Sequence, residues 1–296
     1  MRDSFADCHP FVNFIYFAAV IGFSLVLTHP LAQLTALVCA FVYAVTVSGR
    51  KIIGFLVKFC LPTVLLTMLI NPLFNHRGET ALLYFSNGNP LTLESIVYGV
   101  SAGAMLVSVL MWFSSFNRVM TSDKFIYLFG KVIPALSLVL SMTLRFVPKF
   151  RSQMETVSEA QKSIGRDVTK GNLLSRTKTA INIFSIMVTW SLENAIETAD
   201  SMKSRGYGLR GRTTFSLYRL DSRDKTLLMW LIFCGAVLIA GAVMKVFSFS
   251  CFPEISFAEI SIKSLPFYAV YAMLCMTPVI LNLKEEIKWK ISASEM

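Results

Sequence analysis

The sequence predicts an all-α polytopic membrane protein with about six transmembrane helices. Two long amphipathic helices are inserted before the last two spans. Three observations carry this reading. First, 54% of the 296 residues are hydrophobic and only 16% are charged, against roughly 25% charged in soluble domains. The mean hydropathy is +0.59. Second, charged residues are absent over long runs. None occurs between Asp7 and Arg50, enough for two spans of about 20 residues each. Third, the net charge of +10 is concentrated: Leu144 to Lys225 holds fifteen Lys/Arg against eight Asp/Glu. A basic block between membrane segments reads as cytoplasmic by the positive-inside rule.

Phe11 to Thr28 and Leu31 to Val47 read as the first two spans, joined by a tight outside turn at His29-Pro30, because the residue before proline disfavours the α region. After an inside turn with Arg50 and Lys51, Ile52 to Leu73 forms the third span, expected to break at Pro62. The loop Phe74 to Leu93 contains NHRGE and SNGNP and is placed outside. Thr92 and Ser95 suit the cap of the fourth span, Ile96 to Phe116. Gly99 and Gly103 give it a small-xxx-small face for close helix contact. The fifth and sixth spans are Thr226 to Met244 and Leu265 to Leu283, followed by the tail KEEIKWK. Six spans put both termini on the inside, with the basic block. The chain divides accordingly into membrane helices at 1–121, a coupling region at 122–225, and membrane helices with the tail at 226–296.

The coupling region begins with Ala135 to Phe146, whose apolar character leaves open whether it crosses the membrane or lies along it. Pro148 is expected to interrupt it. Beyond, Phe146, Phe150, Met154, Val157 and Ile164 mark one helix face, and Arg145, Lys149, Ser152, Glu155, Glu159 and Lys162 the other, the 3.6-residue period of an amphipathic helix. It ends in QKSIGRD, with Gly165 and Arg166 at the terminus. After the linker Val168 to Asn172, a second long helix runs from Leu173 into WSLENAIETADSMKSRGYG. Acids there precede bases, as the helix dipole favours, and Gly206 and Gly208 readily take the positive φ that ends a helix. The result is two basic helix tips.

Several chemistries are excluded or disfavoured. There is no GxxxxGK[ST]: Val132 follows Gly130-Lys131, so the chain should not hydrolyse nucleotide. The six cysteines are scattered through apolar runs without a CxxC or Cys/His cluster and read as small apolar packers. The histidines His9, His29 and His76 read as turn or interface residues, and neither a metal site nor a cofactor is implied. The spans lack a central ionisable residue, which disfavours an ion-coupled carrier. The basic block lacks the interleaved aromatics of a nucleic-acid surface. It fits a lipid face or a dock for an acidic protein surface, with docking favoured by cations set at helix ends and acids kept along the face.

ADSMKSRGYG, preceded by SLENAIETA, resembles the second Ala-Arg-Gly signature of the T components of energy-coupling factor transporters, the EcfT/CbiQ family. LRFVPKF…EAQKSIGRD resembles the first coupling helix of that family. The resemblance implies a non-catalytic membrane scaffold for vitamin or metal-ion uptake. Its partners would be two cytoplasmic ABC ATPases and a small substrate-binding S component. By the same resemblance Ser204, Arg205 and Gly206 dock one ATPase. Ser163-Ile164-Gly165 stands where the first Ala-Arg-Gly is expected, with the cation displaced to Arg166, so Gly165 and Arg166 are the candidates for the other. Phe146, Phe150, Met154 and Val157 would pack on the crossing helix or on the S component. An autonomous permease or channel, or a non-transport membrane anchor, are the alternative readings.

Overall fold

The structure is a computed structural model and describes residues 3–49, 51–84, 90–130, 133–169, 172–209, 218–258 and 261–294. Helices α1 (Pro10–Val26) and α2 (Pro30–Ser48) both open on a His-Pro pair. His9 and His29 act as N-caps, accepting through Nδ1 from the N–H groups of Phe11 at 3.2 Å and Leu31 at 3.3 Å. Proline fills the first helical position, where a missing N–H is harmless. The third span is continuous: α3 (Lys51–Phe55), a π-helical turn (Leu56–Cys60) and α4 (Leu61–Phe74). The expected break at Pro62 takes the form of that π turn. Proline cannot donate to the carbonyl four residues back and its ring crowds it, so the ladder widens and Leu61 N–H reaches Leu56 O.

The loop that follows contains a feature the composition does not announce. Strands β1 (Ala81–Tyr84) and β2 (Pro90–Thr92) pair antiparallel, Tyr84 opposite Pro90. Most of SNGNP lies outside the described residues. Helix α5 (Leu93–Val119) is capped as expected, Ser95 N–H donating to Thr92 Oγ1 at 3.4 Å. It meets α4 through its glycines. A Cβ on Gly99 would lie 3.0 Å from Thr67 O and 3.2 Å from Met68 Cα, and one on Gly103 2.5 Å from Thr67 Oγ1. The remaining helices are α6 (Ser122–Gly130), α7 (Pro134–Ser163), α8 (Leu173–Ser204), α9 (Ser222–Val243) and α10 (Leu265–Ser294). Strands β3 (Phe249–Ser250) and β4 (Ser256–Phe257) pair before α10. Pro148 does not interrupt α7, which runs through it for 30 residues. Pro148 and Leu144 both lie on the exposed side of the helix.

Among the described residues, five helical segments are long and apolar enough to cross a membrane: Pro30–Ser48, Ile52–Phe74, Leu93–Val119, Ser222–Val243 and Leu265–Ser292. Helix α1 is shorter, at 17 residues, and packs against α2, α5 and α9. Its Tyr16 and Phe17 form a buried aromatic cluster with Phe5, Tyr43 and Trp112, ring centroids 4.9 to 6.4 Å apart, mostly edge to face. Such edge-to-face geometry sets the positive ring edge against the negative face. The six cysteines are free and buried, as their placement in apolar runs leads one to expect.

At one end of the bundle the N-terminal segment ties four helices together. Asp3 accepts from Tyr43 Oη on α2 at 3.0 Å and from Asn282 Nδ2 on α10 at 2.9 Å. Arg223 at the start of α9 donates to Ser4 O and pairs with Glu285. Asp224 accepts from His9 N–H, and Lys124 donates to Ala6 O and Val119 O. Burial lowers the pKa of Lys124, against a smaller upward pull from Asp7, Cys8 and Asp3. The N-terminal segment and the C-terminal part of α10 therefore lie at the same end. Contacts divide the chain into two compact units, residues 1–125 with 218–296, and residues 126–217.

Candidate docking tips of the long helical hairpin

The unit of residues 126–217 is built on α7 and α8. Phe146 stacks on Trp190 with centroids 5.7 Å apart, and Phe150 lies 6.5 Å from the same ring. Lys149 Nζ donates to Asn194 Oδ1 at 3.0 Å and sits 5.6 Å from the Trp190 ring. Further along, Phe150, Met154 and Ser158 of α7 and Ala180, Ile183 and Met187 of α8 line an apolar cleft of about 640 Å³. Residue numbers rise on α7 as they fall on α8, so the helices run antiparallel. Of the four face residues picked from the sequence, Phe146 and Phe150 make the crossing contact, Met154 opens on the cleft, and Val157 is half-buried. Trp190, the shared partner of both phenylalanines, has no signal in its local pattern.

The two helices end in the same motif. At the first, Gly165 N–H bonds Lys162 O at 3.0 Å and Arg166 N–H bonds Gln161 O at 3.0 Å. At the second, Gly206 N–H bonds Lys203 O at 3.0 Å and Tyr207 N–H bonds Met202 O at 3.0 Å. Both are Schellman caps, in which a left-handed residue lets two following amides satisfy the last carbonyls. Gly165 at φ 82° and Gly206 at φ 76° supply that conformation. The preceding residues agree as well, Ile164 at φ −94°, ψ 17° and Arg205 at φ −84°, ψ 9°. Lys162-Ser163-Ile164-Gly165-Arg166 thus overlays Lys203-Ser204-Arg205-Gly206-Tyr207 position by position. All five positions of each tip are exposed or half-buried, and among the described residues neither Arg166 nor Arg205 makes an ion pair.

Fourteen residues separate Phe150 from Ile164, and fifteen separate Trp190 from Arg205. At 1.5 Å per residue each tip stands about 20 Å beyond the crossing. The antiparallel course sends the two arms away from the crossing in opposite senses.

A model of the CbiQ cobalt transport protein family matches residues 11–217, which takes in the first four spans and both tips. The chain belongs to the EcfT/CbiQ family. Relatives named energy-coupling factor transporter transmembrane protein EcfT agree with this. The one from Acidaminococcus fermentans is 32% identical over 211 residues, 63% of this chain and 79% of that protein. EcfT 1 of Listeria monocytogenes is 28% identical over 212 residues, 66% and 78% of the two chains. The Lactococcus lactis protein is 37% identical over 105 residues, 35% of this chain and 40% of its own.

The Schellman register sets the residues of the two tips side by side. Ile164 occupies the cap position held by Arg205 in the second, and Arg166 occupies the position after glycine held by Tyr207. On this register the cation of the first tip stands two positions later in the turn than that of the second. The pairing of KSIGR with KSRGY is legible in the sequence, and aligning the two glycines finds it.

Proposed function

We propose that this EcfT/CbiQ-family chain is the transmembrane T component of an energy-coupling factor importer, serving vitamin or metal-ion uptake. It would have no catalytic step of its own. Two cytoplasmic ABC ATPases would hydrolyse ATP, and a small membrane S component would bind the substrate. The observation that carries this reading is the pair of Schellman-capped tips at opposite ends of one antiparallel hairpin. Two separated, equally long arms suit two subunits of an ATPase dimer. The family membership and the names of its relatives support the same assignment.

The residue roles follow from physical chemistry. Arg205 is permanently charged, and its planar fork matches a carboxylate in a partly desolvated groove. Ser204 and Gly206 hold it at the cap. Gly165 gives the first tip the same turn, with Arg166 just beyond. Closure of the ATPases on ATP would move the tips relative to each other. The crossing at Phe146, Phe150 and Trp190 would transmit that motion along α7 and α8, and Met154 and Val157 would meet the S component. The basic block and both termini are assigned to the cytoplasmic side.

Arg205→Glu in the native complex tests the reading. Losing such an interface charge costs about 2–5 kcal/mol, so uptake and ATPase retention should fall by about thirtyfold or more. Membrane insertion should be unchanged, because Arg205 is exposed. Uptake at the parental level in that variant would remove the docking role.

A further inference from the structure

We infer that the two tips dock with reversed polarity: Ile164 is the anchor of the first tip and enters an apolar socket, whereas Arg205 anchors the second in a carboxylate-lined one. This deepens the docking reading and rests on it. The two caps share hydrogen bonds and backbone angles, so a partner meets the same frame at each tip. On that frame the chemistry is exchanged. The first tip carries an aliphatic residue at the cap and a cation after the glycine. The second carries a cation at the cap and an aromatic after the glycine.

Ile164 is 64% exposed at the extremity of a basic helix. It belongs to neither the crossing at Trp190 nor the lining of the cleft beside it. A branched aliphatic side chain gains from leaving water only if a partner supplies an apolar surface. An acidic groove shaped for Arg205 would instead leave its own carboxylate unpaired against Ile164, which costs rather than gains. The flanking Lys162 and Arg166 complement an acidic rim around that socket, as Lys203 does at the second tip. The partner of the first tip is therefore a surface with an apolar floor and an acidic edge. It differs from the partner of the second, whose anchor site is anionic.

The test uses the full complex purified with the ATPase subunits that accompany the chain from its native host. ATPase retention is measured at low and high salt for Ile164→Asp, Ile164→Arg, Arg166→Ala and Arg205→Ala. Ile164→Asp and Ile164→Arg should each weaken retention about tenfold, the scale of burying one aliphatic side chain, at both salt concentrations. Arg166→Ala should change it less than about twofold, as a rim charge does. The contribution of Arg205 should shrink as salt rises, through screening. If Ile164→Arg leaves retention unchanged or improves it, or if Arg166→Ala costs tenfold, the reversed polarity is overturned while the docking reading stands. If no tip variant, Arg205→Ala included, alters retention, the docking reading itself falls. All the substituted side chains are exposed or lie beside exposed positions, so folding is not at stake, and membrane insertion serves as the control.

Discussion

His29 illustrates how one residue carries a structural role that local sequence half discloses. The His-Pro pair announces a turn, and the structure adds that Nδ1 accepts from Leu31 N–H, a bond only the unprotonated nitrogen can accept. His29 is buried, and burial holds its pKa below the usual 6.5, against a smaller upward pull from the Ala258 backbone. A base whose pKa is lowered on folding binds fewer protons in the native state. Its stabilising contribution is complete above the unfolded value near 6.5 and is lost as pH falls through the lower folded value. Thermal unfolding in detergent should therefore show a loss of stability on acidification that His29→Asn removes. Asparagine keeps the N-cap without titrating. An identical pH profile in that variant would assign the effect to other groups. The paired caps at Ile164 and Arg205 teach a related lesson. Glycine spacing marks the helix ends, but which residue sits at the cap and which follows it is fixed by the hydrogen bonds.

Among the elements, α5 shows a packing face that composition suggests and geometry makes specific. Gly99 and Gly103 fall on one side of the helix, and the neighbour they admit is α4. The two nearest obstacles to a side chain at Gly99 are backbone atoms of Thr67 and Met68, which cannot swing aside. Gly99→Leu should push the helices apart at a cost of about 1–3 kcal/mol, read as a lower midpoint of detergent-solubilised unfolding. Gly22, with open space around its α-carbon, should accept alanine without loss. Equal tolerance at both positions would refute close α4–α5 packing. Proline behaves differently in two elements. Pro62 follows a π-helical turn in its span, whereas α7 runs through Pro148 as an α-helix, although both prolines are exposed.

At the scale of the whole molecule, the hairpin has two arms of nearly equal length about one aromatic crossing. A lever works only if its length is fixed. Seven helix-forming residues inserted into α8 between Trp190 and Arg205 would extend one arm by about 10 Å and return the tip to nearly the same face. Transport coupled to ATP hydrolysis should be lost although the tip is intact, measured as uptake per ATP consumed. Undiminished coupling in that variant would exclude a lever of fixed length.

The sequence by itself determined the membrane class, the positions of the apolar helices and the two basic tips. These depend on properties read along one chain: charge-free length, helical period and the conformational freedom of glycine. It did not disclose the short strand pairs, the clamp of Asp3, Arg223 and Lys124 across four helices, or Trp190 as the partner of Phe146 and Phe150. Each of these joins residues distant in sequence, and local composition carries no record of such pairings. The tertiary structure decided that KSIGR and KSRGY, whose glycines already align in the sequence, share one backbone frame. Cap geometry is set by which carbonyls the last amides reach, a matter of hydrogen bonds in space.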